Sequence, residues 1–150
     1  MKRSDIIGAW AYQDWRIRYP DGRVTMPFGE GASGLLLYTA DGRMTACIMA
    51  AQRAAFRAKN PRAASLRERA AAFDSYFSYA GRWQLVGETI LHEVTLALNP
   101  ALVGTRQWRN ARLRGQKLVL SADEQTPEAL RRHELAWKRV PNYTGSKRRA

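Results

Sequence analysis

The chain has 150 residues and carries 25 Lys and Arg against 13 Asp and Glu, a formal charge of +12. With 45% hydrophobic and 10% aromatic residues it is too apolar for a disordered segment, and its length suits one domain that buries roughly two thirds of its unfolded surface. No apolar run reaches the roughly 18 to 20 residues of a membrane-spanning helix, and a lone cysteine, Cys47, excludes an internal disulfide.

The segment from Ile7 to Arg18 is aromatic-rich without helical periodicity and ends at the turn Pro20-Asp21-Gly22, which predicts the long arm of a hairpin. Arg23 to Met26 reads as a short returning strand, cut by Pro27 and followed by a link made flexible by Gly29, Gly31 and Gly34. Gly34 to Thr39, then Asp41-Gly42, then Arg43 to Met49 predicts a second hairpin with a two-residue turn. After an Ala- and Arg-rich stretch from 50 to 64, Ser65 and Glu68 form a capping box. Leu66, Ala70, Phe73 and Phe77 then recur as one helical stripe, with Gly81 as the stop. Strands follow over Arg82 to Val86, Thr89 to Leu96, Thr105 to Leu113, Lys117 to Ser121 and about His133 to Val140. The expected architecture is all-β: a closed antiparallel barrel of about 8–10 strands over residues 1–141, with one packed α-helix and a basic tail over 142–150.

These segments resemble the lipocalin-like domain family of small bacterial and fungal barrels. The likeness is carried by Ile7-Gly8-Ala9-Trp10, Asp21-Gly22-Arg23-Val24 with Pro27-Phe28-Gly29, Gly34 to Met44, Tyr76-Phe77-Ser78-Tyr79, Val103-Gly104-Thr105, Leu118-Val119-Leu120 and Trp137-Lys138-Arg139. The resemblance implies a calycin-type barrel that binds hydrophobic small molecules. In some relatives it implies isomerase, cyclase, hydratase or lyase chemistry without a cofactor. It also implies that Trp10 plugs one end of the barrel with Arg139 packed on its face.

Strand alternation then nominates the interior. Ile90, His92, Val94 and Leu96 form an inward set with one imidazole, either a core histidine satisfied by a backbone carbonyl or a group that contacts ligand and moves a proton. Ala111 and Leu113 carry Arg109, Gln107 and Thr105 inward with them, and a cation inside a barrel requires an internal carboxylate or an anionic ligand. If Trp10 faces in, Tyr12 and Asp14 share its side, so Asp14 is the natural partner of Arg109. That pair is either structural or an acid–base constellation. Tyr38 and Tyr79, the latter at the end of the expected helix, are further ligand-binding candidates, Trp83 is a candidate wall, and the face of the strand at 43–49 that points inward stays open.

Two His and one Cys supply no His/Cys metal site, and no nucleotide loop or nucleophile elbow occurs, so neither a metal nor a cofactor is expected. The expected partner is a small hydrophobic or aromatic molecule with an anionic or carbonyl group, in a cytoplasmic protein that is either a monomer or a homodimer. His92 or Asp14 would move a proton while Arg109 steadies an oxyanion. A non-catalytic carrier or sensor is the alternative, and a basic nucleic-acid adaptor the third reading, weakened by the scatter of the charge over three regions. The stretch 50–64 is a candidate lid.

Overall fold

Two Asp-Gly turns start the sheet. The computed structural model describes residues 1–141, so the expected tail at 142–150 lies outside the described residues. Strand β1 (Gly8–Arg18) turns through Tyr19-Pro20-Asp21-Gly22 into the two-residue β2 (Val24–Thr25), and β3 (Ser33–Tyr38) turns through Thr39-Ala40-Asp41-Gly42 into β4 (Arg43–Met49). Both turns are built alike. The glycine N–H donates to the carbonyl three residues back, and the glycine alone takes a positive φ, 86° at Gly22 and 85° at Gly42. The 39–42 turn is therefore a type I turn closed by a glycine in the left-handed region, which adds residues to the two-residue turn expected there. Thr39 Oγ1 accepts from Arg43 N at 2.9 Å and locks it.

Helix α1 (Leu66–Asp74) has the expected capping box: Ser65 Oγ accepts from Glu68 N at 3.2 Å and Glu68 Oε2 accepts from Ser65 N at 2.9 Å. Its extent and packing differ from expectation. The helix stops at Ser75, and Phe77 and Tyr79 belong to strand β5 (Tyr76–Val86). Leu66 and Phe73 are 77% and 47% exposed, so the apolar stripe is not seated on the barrel. Gly81 is no helix stop. It lies inside β5 where the register with β6 (Thr89–Ala97) shifts, and a Cβ there would stand 1.9 Å from the Glu93 carbonyl oxygen. Glycine is what lets the two strands approach.

The remaining strands are β7 (Arg106–Arg114), β8 (Lys117–Gln125) and β9 (Leu130–Arg139), each antiparallel to its neighbour. β9 pairs back onto β1, from Trp10↔Arg139 to Arg18↔Arg132, which closes an eight-stranded barrel of β1 and β3–β9, with β2 as a flap beyond the end of β1. No helix among the described residues is long and apolar enough to cross a membrane.

The inner face is read off the burial pattern. Leu36 and Tyr38 of β3, Met44, Ala46 and Ile48 of β4, and Leu118 and Leu120 of β8 are buried and form one cluster, which settles the face of β4 left open by the sequence. Two bulges reset the alternation. On β1, Gln13 is the extra residue between the pairs Tyr12↔Trp137 and Asp14↔Ala136, so Trp10 and Tyr12 face in before it and Trp15 and Ile17 after it. On β6, Thr95 is extra opposite Ala80 and Gly81, so Leu96, expected inside, is 68% exposed and Ala97 packs on the core instead. Leu91, placed by alternation on the wet face, is buried directly across from Trp108.

One end of the barrel is sealed. Arg139 lies over the Trp10 ring at 4.1 Å, donates to Ile7 O at 3.0 Å, and also donates to Asp5 O. Trp10 Nε1 donates to Ile6 O at 2.9 Å. Beside this plug Trp83 donates through Nε1 to Thr39 O at 3.0 Å, is covered by Arg3 at 4.8 Å and packs on Tyr38.

Candidate functional site

The other end opens into a cavity of about 290 Å³. Its inner part is walled by Leu36, Ile48, Leu120 and Trp137. Tyr79, His92, Gln107 and Arg109 supply the polar surface of its inner part, and Trp15, Phe77 and His133 stand at its mouth with Asp123 and Glu124, whose carboxylates pair with Arg132 and with Arg131 and His133.

His92 is 1% exposed, and both ring nitrogens are engaged: Nε2 with Tyr38 Oη at 2.7 Å and Nδ1 with Tyr79 Oη at 2.8 Å. Two phenols thus replace the backbone carbonyl expected for a core histidine. Burial, and secondarily the charge of Arg109, lowers its pKa from 6.5 to about 3, so the imidazole is neutral at physiological pH. Burial raises the pKa of both tyrosines. Tyr38 is pushed further up by Tyr79, while Arg109 draws both back down in part. All three groups are uncharged hydrogen-bonding partners at neutral pH.

Arg109 is half-buried and donates to Trp108 O at 3.0 Å and Gln107 Oε1 at 3.2 Å. Gln107 Nε2 donates to Thr105 Oγ1 at 2.9 Å, and Thr105 Oγ1 donates to Leu102 O at 2.7 Å. The ladder follows from strand alternation, since residues two apart on β7 share a face. It aims the guanidinium without neutralising it: among the described residues no carboxylate lies within ion-pair distance of Arg109.

The expected partner of Arg109 is corrected. The Gln13 bulge carries Asp14 to the outer side of β1, where its Oδ2 pairs with Arg16, and Asp14 does not line the cavity. Its Oδ1 is buried without a hydrogen-bond partner. Tyr12 and Trp83 are also placed away from the cavity. Tyr12 packs edge-on against Trp137 with ring centroids 5.8 Å apart, and Trp83 belongs to the sealed end. Tyr38 stands behind His92 and Thr105 behind Gln107, so of the nominated residues Tyr79, His92, Gln107 and Arg109 reach the cavity itself. The stretch 50–64 contributes no lining residue. It is tied to α1 through Arg53 Nη2 to Ala72 O at 3.1 Å and Arg57 N to Glu68 Oε1 at 3.0 Å.

Sequence reasoning missed the mouth. Trp15 Nε1 donates to His133 Nδ1 at 3.2 Å, so His133 carries its proton on Nε2 and donates it to Glu124 Oε2 at 2.7 Å. Glu124 also accepts from Arg131 Nε at 2.7 Å, and both partners hold its carboxyl below the usual range. Trp15 packs between Phe28 and Phe77, with centroids at 5.6 and 5.7 Å. His133 shares its strand face with Leu135 and Trp137, a period-two signal present in the sequence. Trp15 had no such signal, because a bulge puts it inside. Among the described residues no group of three or more His, Cys, Asp and Glu is arranged to hold a metal ion.

A closed antiparallel barrel, sealed at one end by Trp10 and Arg139 and open at the other into an aromatic-walled cavity, defines a class of protein whose interior is compatible with binding a small molecule. The lipocalin-like domain family matches residues 7–140, and the chain belongs to that family. The solved structure of the lipoprotein YedD from Klebsiella pneumoniae subsp. pneumoniae is similar at 9% identity and a TM-score of 0.45, over 95% of this chain and 78% of that one. No curated protein sequence matches the chain.

Proposed function

We propose that the barrel binds a small, largely apolar molecule carrying one anionic or carbonyl oxygen group, with the apolar part among Leu36, Ile48, Leu120 and Trp137 and the oxygen at Arg109. The observation that carries this reading is the guanidinium itself. It is half-buried, aimed by Gln107, and has no carboxylate within ion-pair distance among the described residues, while Asp123 and Glu124 on the same cavity are taken up by Arg132, Arg131 and His133, so the direct counter-charge to Arg109 is left for a ligand to bring. A second reading, cofactor-free turnover of the isomerase, cyclase, lyase or hydratase type, is favoured by the Tyr38–His92–Tyr79 chain. It offers a neutral relay of protons beside the cation and needs no aspartate base.

The test compares 2-naphthoate with 2-methylnaphthalene, which share a ring system and differ in the carboxylate, by fluorescence titration at pH 7. The wild-type protein is expected to hold the carboxylate more tightly. Arg109→Met should weaken 2-naphthoate by roughly 10- to 100-fold, the value of one charge-assisted hydrogen bond, and leave 2-methylnaphthalene unchanged. Equal affinity of the wild-type protein for both probes, or no loss in the variant, overturns the reading.

A further inference from the structure

The Tyr38–His92–Tyr79 chain has a direction, and the buried end sets it. Tyr38 is 1% exposed, and the hydrogen bond of its hydroxyl among the described residues is the one to His92 Nε2. A neutral imidazole offers one N–H and one lone pair. If His92 carried its proton on Nε2, Tyr38 would receive that proton and its own O–H would be left without an acceptor in a sealed environment, where buried donors are almost always paired. If Tyr38 donates to Nε2, the Tyr38 hydroxyl proton and both His92 nitrogens are paired. His92 then carries its proton on Nδ1 and donates it to Tyr79 Oη at 2.8 Å.

Tyr79 differs from Tyr38 in lining the cavity. With its oxygen accepting from His92, its own O–H has no partner in the chain of bonds and is free to turn to the open side, where Arg109 also stands. We infer that Tyr38, acting through the Nδ1–H tautomer of His92, positions Tyr79 as an obligate hydrogen-bond donor to the ligand, so that Tyr79 and Arg109 together select a molecule presenting a carbonyl or carboxylate oxygen. The ligand half of this inference rests on the anion reading at Arg109; the direction of the chain does not. Arg109 supports the assignment, since its charge opposes the burial that raises the pKa of Tyr79 and makes the phenol a better donor than burial alone would leave it. Molecules that present only an N–H donor without a lone pair at that position, such as an ammonium group, would meet two donors and be refused.

The chain contains two histidines, so ¹⁵N NMR of the imidazole nitrogens with His133→Gln as the assignment control resolves the tautomer of His92 directly. The expected spectrum shows Nδ1 protonated and Nε2 unprotonated, and the reverse overturns the inference. Tyr38→Phe removes one hydroxyl that does not reach the cavity. Nε2 then loses its donor, Tyr79 is released to donate to His92, and the Nδ1–H signature should weaken. Affinity for 2-naphthoate should fall about tenfold while 2-methylnaphthalene is unaffected. Unchanged 2-naphthoate binding in Tyr38→Phe refutes the coupling. Should the wild-type protein take both probes equally, the anion reading fails and with it the ligand half, whereas the NMR result still decides the direction of the chain. If Tyr38→Phe does not fold, the wild-type tautomer decides it alone.

Discussion

Burying a neutral histidine makes stability depend on pH in a window that few other groups share. The pKa of His92 falls from 6.5 to about 3 on folding, chiefly through loss of hydration and secondarily through Arg109. Between those values the unfolded chain binds a proton that the native protein refuses. Acid therefore favours unfolding: stability is complete above about pH 6.5 and is lost as pH falls toward 3. The slope is about 1.4 kcal/mol per pH unit, so lowering the pH from 7 to 5 should cost about 2 kcal/mol, and a domain of this size should lose about 4–8 °C in Tm. Asp41, Glu68, Glu124 and Glu134 also have lowered pKa values, but their reference values are 3.8 to 4.5, so their contributions are lost mainly below that range and stay nearly constant above pH 5. The measurement is urea denaturation at half-unit steps from pH 5 to 7.5, on the wild-type protein and on His92→Gln, which keeps hydrogen-bonding capacity and cannot titrate. A flat wild-type profile, or the same slope in His92→Gln, would falsify the account of His92 as a buried neutral group.

Two substitutions test the frame that holds the cavity. Arg139→Met removes the cation over Trp10 and the donors to Ile7 O and Asp5 O, and should cost about 3 kcal/mol, with Arg139→Lys recovering part because the charge remains without the planar fork; a loss under about 1 kcal/mol by chemical denaturation would show that the plug does not hold the barrel end. Gly81→Ala should cost about 3 kcal/mol, because its Cβ would meet the Glu93 backbone oxygen at 1.9 Å and a strand carbonyl cannot swing aside as a side chain can; near-wild-type stability would mean the β5–β6 bulge relaxes freely.

Much of the barrel is legible in the chain because its signals are local. Asp21-Gly22 ends the turn out of β1 and Asp41-Gly42 joins β3 to β4, the capping box starts α1, and strict alternation on β7 carries Gln107 and Arg109 to the same face as Ala111. The errors share a cause. Phe77 satisfies a helical spacing of four from Phe73 and equally the period-two pattern of Phe77, Tyr79 on β5, so periodicity alone cannot place the helix end. Ser75 decides it by capping the helix, its Oγ donating to Ala71 O at 2.7 Å. Bulges are quieter still. Neither Gln13 nor Thr95 differs in type from an ordinary strand residue, yet each reverses the facing of everything after it on its strand.

The bulge at Gln13 also determines the chemistry available to the cavity. Without it, alternation would turn Asp14 to the inner face of β1 and place a carboxylate in the interior that Arg109 also faces. With it, Asp14 is spent on Arg16 outside, Trp15 takes a place at the mouth against His133, and the guanidinium faces the interior with only neutral neighbours in its ladder. A carboxylate placed on the inner wall, for instance Ala46→Asp, puts a negative charge in the cavity that Arg109 lines and should weaken 2-naphthoate in the fluorescence titration at pH 7; unchanged affinity would count against an anion site there. One inserted residue thus keeps the carboxylate of Asp14 off the inner face of its strand.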